Sequence, residues 1–385
     1  MTRCEMTRRN DTVRVPTSSS VLCVCLLVAG SICGPLRGEL WTLPERLIDP
    51  QLTGLRSTIV KLHEKALRSK KPWSEDELRE ELPRKYAQLE RRYADVKDPR
   101  QRAEALAQLA LLYAELAWVE RIEPLVEEVK DLDVAVAAKL GQFRSSDNFL
   151  ARVVGADPKY LEAALRLAEA AREGYRELFG FEEISKVPGK RVRIVIHVDP
   201  ELETDRLYFH PSPPYHSELR LLVPETKYLT LAGKRRLVYG FIHELGHMVA
   251  MWGEHNKVED DRHAWAHYTG CLVVEEVYER LGNEPWPSWT AFQRRASGKT
   301  RLLAQIEGKE SGTDSYESVL ALFYRIGETW GTDVYGKAWT WLEKNRRIRR
   351  VNRVPYLWLR DLRDALAATV TREDAAKVAA MFGRS

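Results

Sequence analysis

The chain has 385 residues, 44% hydrophobic and 30% charged, with a formal net charge of +4. This composition excludes an intrinsically disordered chain and gives enough apolar material for a sizeable core spread over two or three domains. The small positive excess is too weak and dispersed to specify a polyanionic partner.

Cys4, Cys23, Cys25 and Cys33 lie at the N-terminus, and only Cys271 lies beyond. Arg3, Arg8, Arg9 and Arg14 precede the apolar run VLCVCLLVAGSIC at 21–33, which is followed by GPLRG. A basic stretch, a short apolar run and small residues after it predict a secretory signal over 1–38. The run falls short of the roughly 20 residues a membrane-spanning helix needs, so a stable span after cleavage is not expected. Ile32 before Cys33 argues against a lipoprotein signal. The expected location is secreted or periplasmic. Cys271, in an apolar helical pattern, reads as a buried and inert thiol.

Residues 39–160 read as a helical region. WSEDELREEL (73–82) places Ser74 and Glu77 at capping-box spacing. Leu106, Leu109, Ala110, Tyr113 and Leu116 share one face of a helix predicted over 102–122, and Leu161, Leu165, Leu167 and Ala168 mark another over 158–178. Scaffold is the expected role of these helices, with partner binding as the other reading.

From 180 to 224 the pattern changes. VRIVIHV, RLYFH and ELRLLVP read as strands, with PSPPYHS as a rigid loop between the last two. A long helix is predicted over 234–252 and a second over 258–282, where Ala264, Tyr268, Cys271, Val274, Tyr278 and Leu281 form a buried stripe and Gly282 ends it. Residues 283–312 read as mixed, with Pro285 and Pro287 in a loop. Three more helices are expected from Ser315, the last opened by Thr371 and Asp374 at capping-box spacing.

The first long helix contains FIHELGHMVAMWGEHN (241–256). At i and i+4, His243 and His247 are neighbours on one helical face and can offer imidazole nitrogens to one ion. Zinc accepts such ligands in tetrahedral geometry, and a catalytic site leaves its fourth position to a water whose pKa falls to about 7. Glu244, rotated about 100° from His243, cannot share the ligating position but can reach that water as a general base. The competing reading is a solvated helix face. Phe241, Leu245, Met248 and Val249 argue against it, because histidines among such residues need partners.

HELGH preceded by strands resembles the zincin metallopeptidases, over roughly residues 165–345 rather than the whole chain. The resemblance implies a small twisted sheet over the motif helix, with an edge strand that binds extended substrate; ELRLLVP is the candidate edge. The metzincin extension is absent, since Ala250 and Gly253 occupy the positions of its Gly and His. The gluzincin branch takes a third ligand from the next helix, usually a glutamate. HAWAHY (263–268) is similar to that branch's pattern with His263 in the glutamate's place, Ala264 as the small residue and Tyr268 as the trailing aromatic. This implies His263 as third ligand, with His267 one turn on, at a position that often holds Asp. Asp260 and Asp261 are the nearest competitors, and His255 a more distant one. The helix SYESVLALFYRIGETWG (315–331) resembles the one that closes the cleft in such proteins, which makes Tyr316 and Tyr324 candidates for stabilising an oxyanion, against a plain core role.

Two other features carry less. KNRRIRRVNR (344–353) has six positive charges in ten residues and reads as a solvated helix end rather than a nucleic-acid contact. SGKT (297–300) is not a phosphate loop, because Gln293 stands where its first glycine is needed.

The sequence therefore predicts a mostly helical α+β protein: a helical N-terminal region (39–160), a zincin-like domain (161–312) and a helical C-terminal part (313–385). The expected function is a Zn2+-dependent metallopeptidase acting on peptide or protein substrates, with no nucleic-acid partner. His243, His247 and His263 are the expected ligands and Glu244 the base. The alternative is a zincin-derived zinc-binding module without appreciable turnover.

Overall fold

In a computed structural model, apart from Gly54 and Ser57, the described residues are 83–115, 119–155, 159–181, 192–198, 206–210, 218–223, 231–249, 258–282, 298–351, 354–356 and 358–382. The signal-like segment, the Ser74–Glu77 capping box, the proline-rich loops and His255 lie outside them.

Four helices open the described chain: α1 (Pro83–Ala94), α2 (Pro99–Glu115), α3 (Val119–Leu132) and α4 (Val134–Leu140). The helix predicted over 102–122 is thus two elements. The α4 helix is capped by Asp133, whose carboxylate accepts the amides of Ala135 and Val136 at 2.8 and 3.1 Å, satisfying donors that have no partner inside the helix. These helices share a core of their own, from Leu89 through Leu106, Leu109, Tyr113 and Ile122 to Leu140.

The stretch read as wholly helical also contains a β-hairpin, β1 (Gln142–Ser145) and β2 (Phe149–Val154). Gly141, at φ 76°, turns the chain out of α4 into it. The strands escape a periodicity reading because β2 is buried on both faces. Phe149, Ala151 and Val153 join the main core, while Leu150 joins the N-terminal one. A run apolar on both faces shows no alternation. Arg152, on the Leu150 side, donates to the carbonyls of Leu140 and Lys139 and so closes the C-terminal end of α4.

The helix α5 (Lys159–Phe179) follows, and then the three strands the sequence predicts: β3 (Val192–Val198), β4 (Arg206–His210) and β5 (Glu218–Val223). The sheet order is β1-β2-β3-β5-β4. The β2/β3 and β3/β5 pairs are parallel, and the outer pairs β1/β2 and β4/β5 are antiparallel. This corrects the edge assignment: Glu218–Val223 is an interior strand, and the edge is Arg206–His210. Apolar content alone could not rank the two, because both read as short strands and only the pairing distinguishes them.

Two long helices carry the site, α6 (Leu231–Val249) and α7 (Val258–Leu281). They pack on each other, and α6 also lies against β4 and β5. Residues 264–271 of α7 are all buried. Trp265 meets Phe179 of α5 edge-to-face at 5.7 Å between ring centroids.

Beyond these lie α8 (Gly298–Ile306), α9 (Tyr316–Trp330), α10 (Val334–Lys344), a hairpin of β6 (Arg349–Val351) and β7 (Val354–Tyr356), α11 (Leu359–Thr369) and α12 (Arg372–Met381). Trp265 is 5.2 Å from the ring of Phe323 and 5.0 Å from that of Tyr335, so one aromatic cluster joins α5, α7, α9 and α10. The helix α8 falls in the stretch read as mixed. Four helices, not three, follow Ser315 among the described residues. The cap on α12 is as predicted, with Thr371 Oγ1 accepting the Asp374 amide at 3.3 Å.

The basic run is not merely a solvated helix end. Arg347 pairs with buried Asp361 at 3.1 Å and with Asp364 at 3.0 Å, and so ties the hairpin's approach to α11. A buried carboxylate requires such a partner. The fold is mostly helical α+β, and among the described residues no helix is long and apolar enough to cross a membrane.

Candidate metal centre

The α6 helix buries Val238, Phe241, Ile242, Leu245, Met248 and Val249, leaving His243 and Glu244 half-buried and His247 at 8% exposure. His243 and His247 stand one turn apart with ring centroids 4.9 Å apart. His263, half-buried on α7, completes the group: its ring centroid lies 4.9 Å from that of His247 and 5.6 Å from that of His243.

One candidate ligand nitrogen on each of these three histidines lies within 4.8 Å of the others. His243 Nε2 and His263 Nδ1 are 3.4 Å apart. Two nitrogens bound tetrahedrally to zinc at about 2.0–2.1 Å would be separated by about 3.3–3.4 Å, so this pair already has the spacing. The donor set of three imidazoles fits a divalent transition metal such as zinc better than calcium or magnesium, which take oxygen ligands.

Helix approach makes the cluster possible. Gly246, inside the HELGH motif, faces α7 where a Cβ would lie 3.1 Å from Ala266 Cα and 2.9 Å from Thr269 Oγ1. Gly270 also meets α6 from the other helix, less tightly, its Cβ position lying 3.5 Å from His243 Cα. From α5, the buried Tyr175 hydroxyl donates to the Ile242 carbonyl at 2.8 Å, holding the helix at the residue before His243.

Burial pushes the His243 pKa well below its ordinary value of 6.5, aided by the charges of His263, His267 and Arg301. The imidazole is therefore neutral at pH 7, the form that binds a metal.

His267 is not one of the converging three. Gln305 Oε1 can only accept, so His267 Nε2–H donates to it, and Nδ1 accepts from the Tyr239 hydroxyl. Both ring nitrogens are thereby engaged, one by α6 and one by α8. Burial, with the Arg301 charge second, lowers its pKa to about 4. Cys271 Sγ lies 3.7 Å from His267 Nε2 and is fully buried, as its helical pattern predicts.

Of the residues singled out in the sequence, His243, His247 and His263 come together, with Glu244 beside His243 on the same helix. The side chains of Asp260 and Asp261 lie outside the described residues. Tyr316 borders the site, its ring 6.5 Å from that of His267; Tyr324 interacts instead with Glu328 and Lys299. Sequence reasoning missed Tyr239, Gln305 and Arg301. Tyr239 lies on α6, one turn before His243; the place of Gln305 and Arg301 depends on α8 folding back onto α7, which no local pattern announces. No family model and no curated protein matches this chain.

Proposed function

We propose that the chain is a secreted zinc-dependent metallopeptidase of zincin type, in the gluzincin-like manner, cleaving peptide or protein substrates. The observation that carries this reading is the convergence of three imidazoles, His243, His247 and His263, with the half-buried carboxylate of Glu244 beside His243 on α6.

The three histidines would hold the ion. When bound, zinc supplies an activated water and polarises a carbonyl. Glu244 takes the proton from the attacking water on a carboxylate oxygen and delivers it to the leaving amine nitrogen. Its position one residue after His243 keeps it near the ligands without competing for the ion. The edge strand Arg206–His210, against which α6 packs, offers backbone donors and acceptors to an extended peptide. The basic stretch and apolar run at 1–38 support export.

The test is Glu244→Gln. The variant is expected to retain zinc and lose at least 100-fold in hydrolysis of an unfolded protein substrate, within the range general-base removal gives. Equal hydrolysis by both proteins would remove Glu244 as base. Zinc retained with no hydrolysis by the wild type would favour a zinc-binding module.

A further inference from the structure

Arg301 is an exposed cation beside the histidine cluster that no described carboxylate neutralises. Its helix is fixed to the site at three points. Gly298 abuts the Cys271 carbonyl so closely that any side chain would collide. Leu302 is fully buried, and Gln305 accepts from His267. These contacts hold Arg301, which is itself exposed.

The guanidinium lies over the Tyr239 ring, 5.1 Å from its centroid, a placement that cation–π attraction favours. Tyr239 sits one turn before His243, with ring centroids 6.0 Å apart. The guanidinium carbon is therefore at most about 11 Å from the His243 ring. Its charge reaches the cluster, acting on His243, His267, Tyr239 and Cys271. Among the described residues it makes no ion pair, whereas Lys299 on the same helix pairs with Glu328 at 3.4 Å.

A planar cation held near the histidine cluster is suited to a carboxylate, which it can grip with two parallel hydrogen bonds. An extended chain advances about 3.3–3.6 Å per residue. A separation of at most about 11 Å leaves room for no more than one or two residues between a cleaved bond and a bound carboxylate. We propose that Arg301 recognises a substrate carboxylate one or two residues beyond the cleaved bond, so that the site prefers peptides ending there in a free acid. This rests on the peptidase reading for its chemistry, but not for its binding test.

The test uses the full chain with Glu244→Gln, zinc-loaded, so that bound peptide is not consumed. Calorimetry would compare an acetylated tetrapeptide acid, its C-terminal amide, and an amide ending in Asp. The acid is expected to bind about tenfold or more tighter than the plain amide, as a charge-assisted contact predicts. Arg301→Gln should abolish that preference, and Arg301→Lys should restore part of it as a point charge without the fork. Tight binding of the Asp amide would assign the carboxylate to a side chain; its failure would assign it to the C-terminus. Equal affinity for acid and plain amide, binding of neither, or a preference that survives Arg301→Gln would overturn the assignment. Acid-selective binding without hydrolysis by the wild type would refute the peptidase reading alone. Equal hydrolysis of acid and amide, with no acid preference in binding, would refute only the role of Arg301.

Discussion

Gly246 faces Ala266 across the α6–α7 interface with room for hydrogen and little else: a Cβ there would lie 3.1 Å from Ala266 Cα and 2.8 Å from Tyr175 Oη. The glycine between the motif's leucine and second histidine is thus what lets the two histidine-bearing helices meet. In Gly246→Ala, the helix-propensity gain of up to about 1 kcal/mol is opposed by overpacking of about 1–3 kcal/mol. The expected net result is a protein less stable to urea and weaker in zinc binding. An unchanged urea midpoint with full zinc affinity would show that the interface has slack.

Metal-free protein should lose stability as pH falls from 6.5 towards 4, partly through His267. Its folded pKa is lowered from 6.5 to about 4 by burial first. Between those values the unfolded chain takes up a proton that the folded one refuses, so the stabilisation is complete above 6.5 and is lost on acidification. The shift corresponds to roughly 3 kcal/mol at most. Urea unfolding of wild type and His267→Gln across this range should give curves whose difference narrows towards pH 4. Parallel curves would mean that His267 titrates normally.

Cys271 should resist alkylation in the native state. Burial raises its thiol to about 12, so almost no thiolate exists at pH 8. Iodoacetamide labelling followed by peptide mapping is expected to leave Cys271 unmodified until denaturant is added. Rapid native labelling would show that α7 opens.

The parts of the fold that were legible are those whose signal is local. His243 and His247 declare themselves by a one-turn spacing on an apolar helix, and the stripe from Ala264 to Leu281 marks α7. His263 needed a resemblance, because a ligand twenty residues away has no spacing of its own to reveal it; the 3.4 Å approach to His243 supports that choice geometrically. The hairpin 142–154 was missed because β2 is buried on both faces, and the edge strand was misassigned because strand order is a property of pairing rather than of composition. Arg301 and Gln305 were invisible for a third reason: they sit on a nine-residue helix in a stretch that reads as mixed, and only its docking on α7 gives them a role.

The most direct test of the account is metal analysis of the purified full chain alongside His243→Ala, His247→Ala and His263→Ala. The wild type is expected to carry about one zinc per chain, and each variant to lose most of it while keeping its helical circular dichroism. A folded wild type that takes up no zinc, or a His263→Ala variant that retains it with undiminished affinity, would contradict the proposed centre.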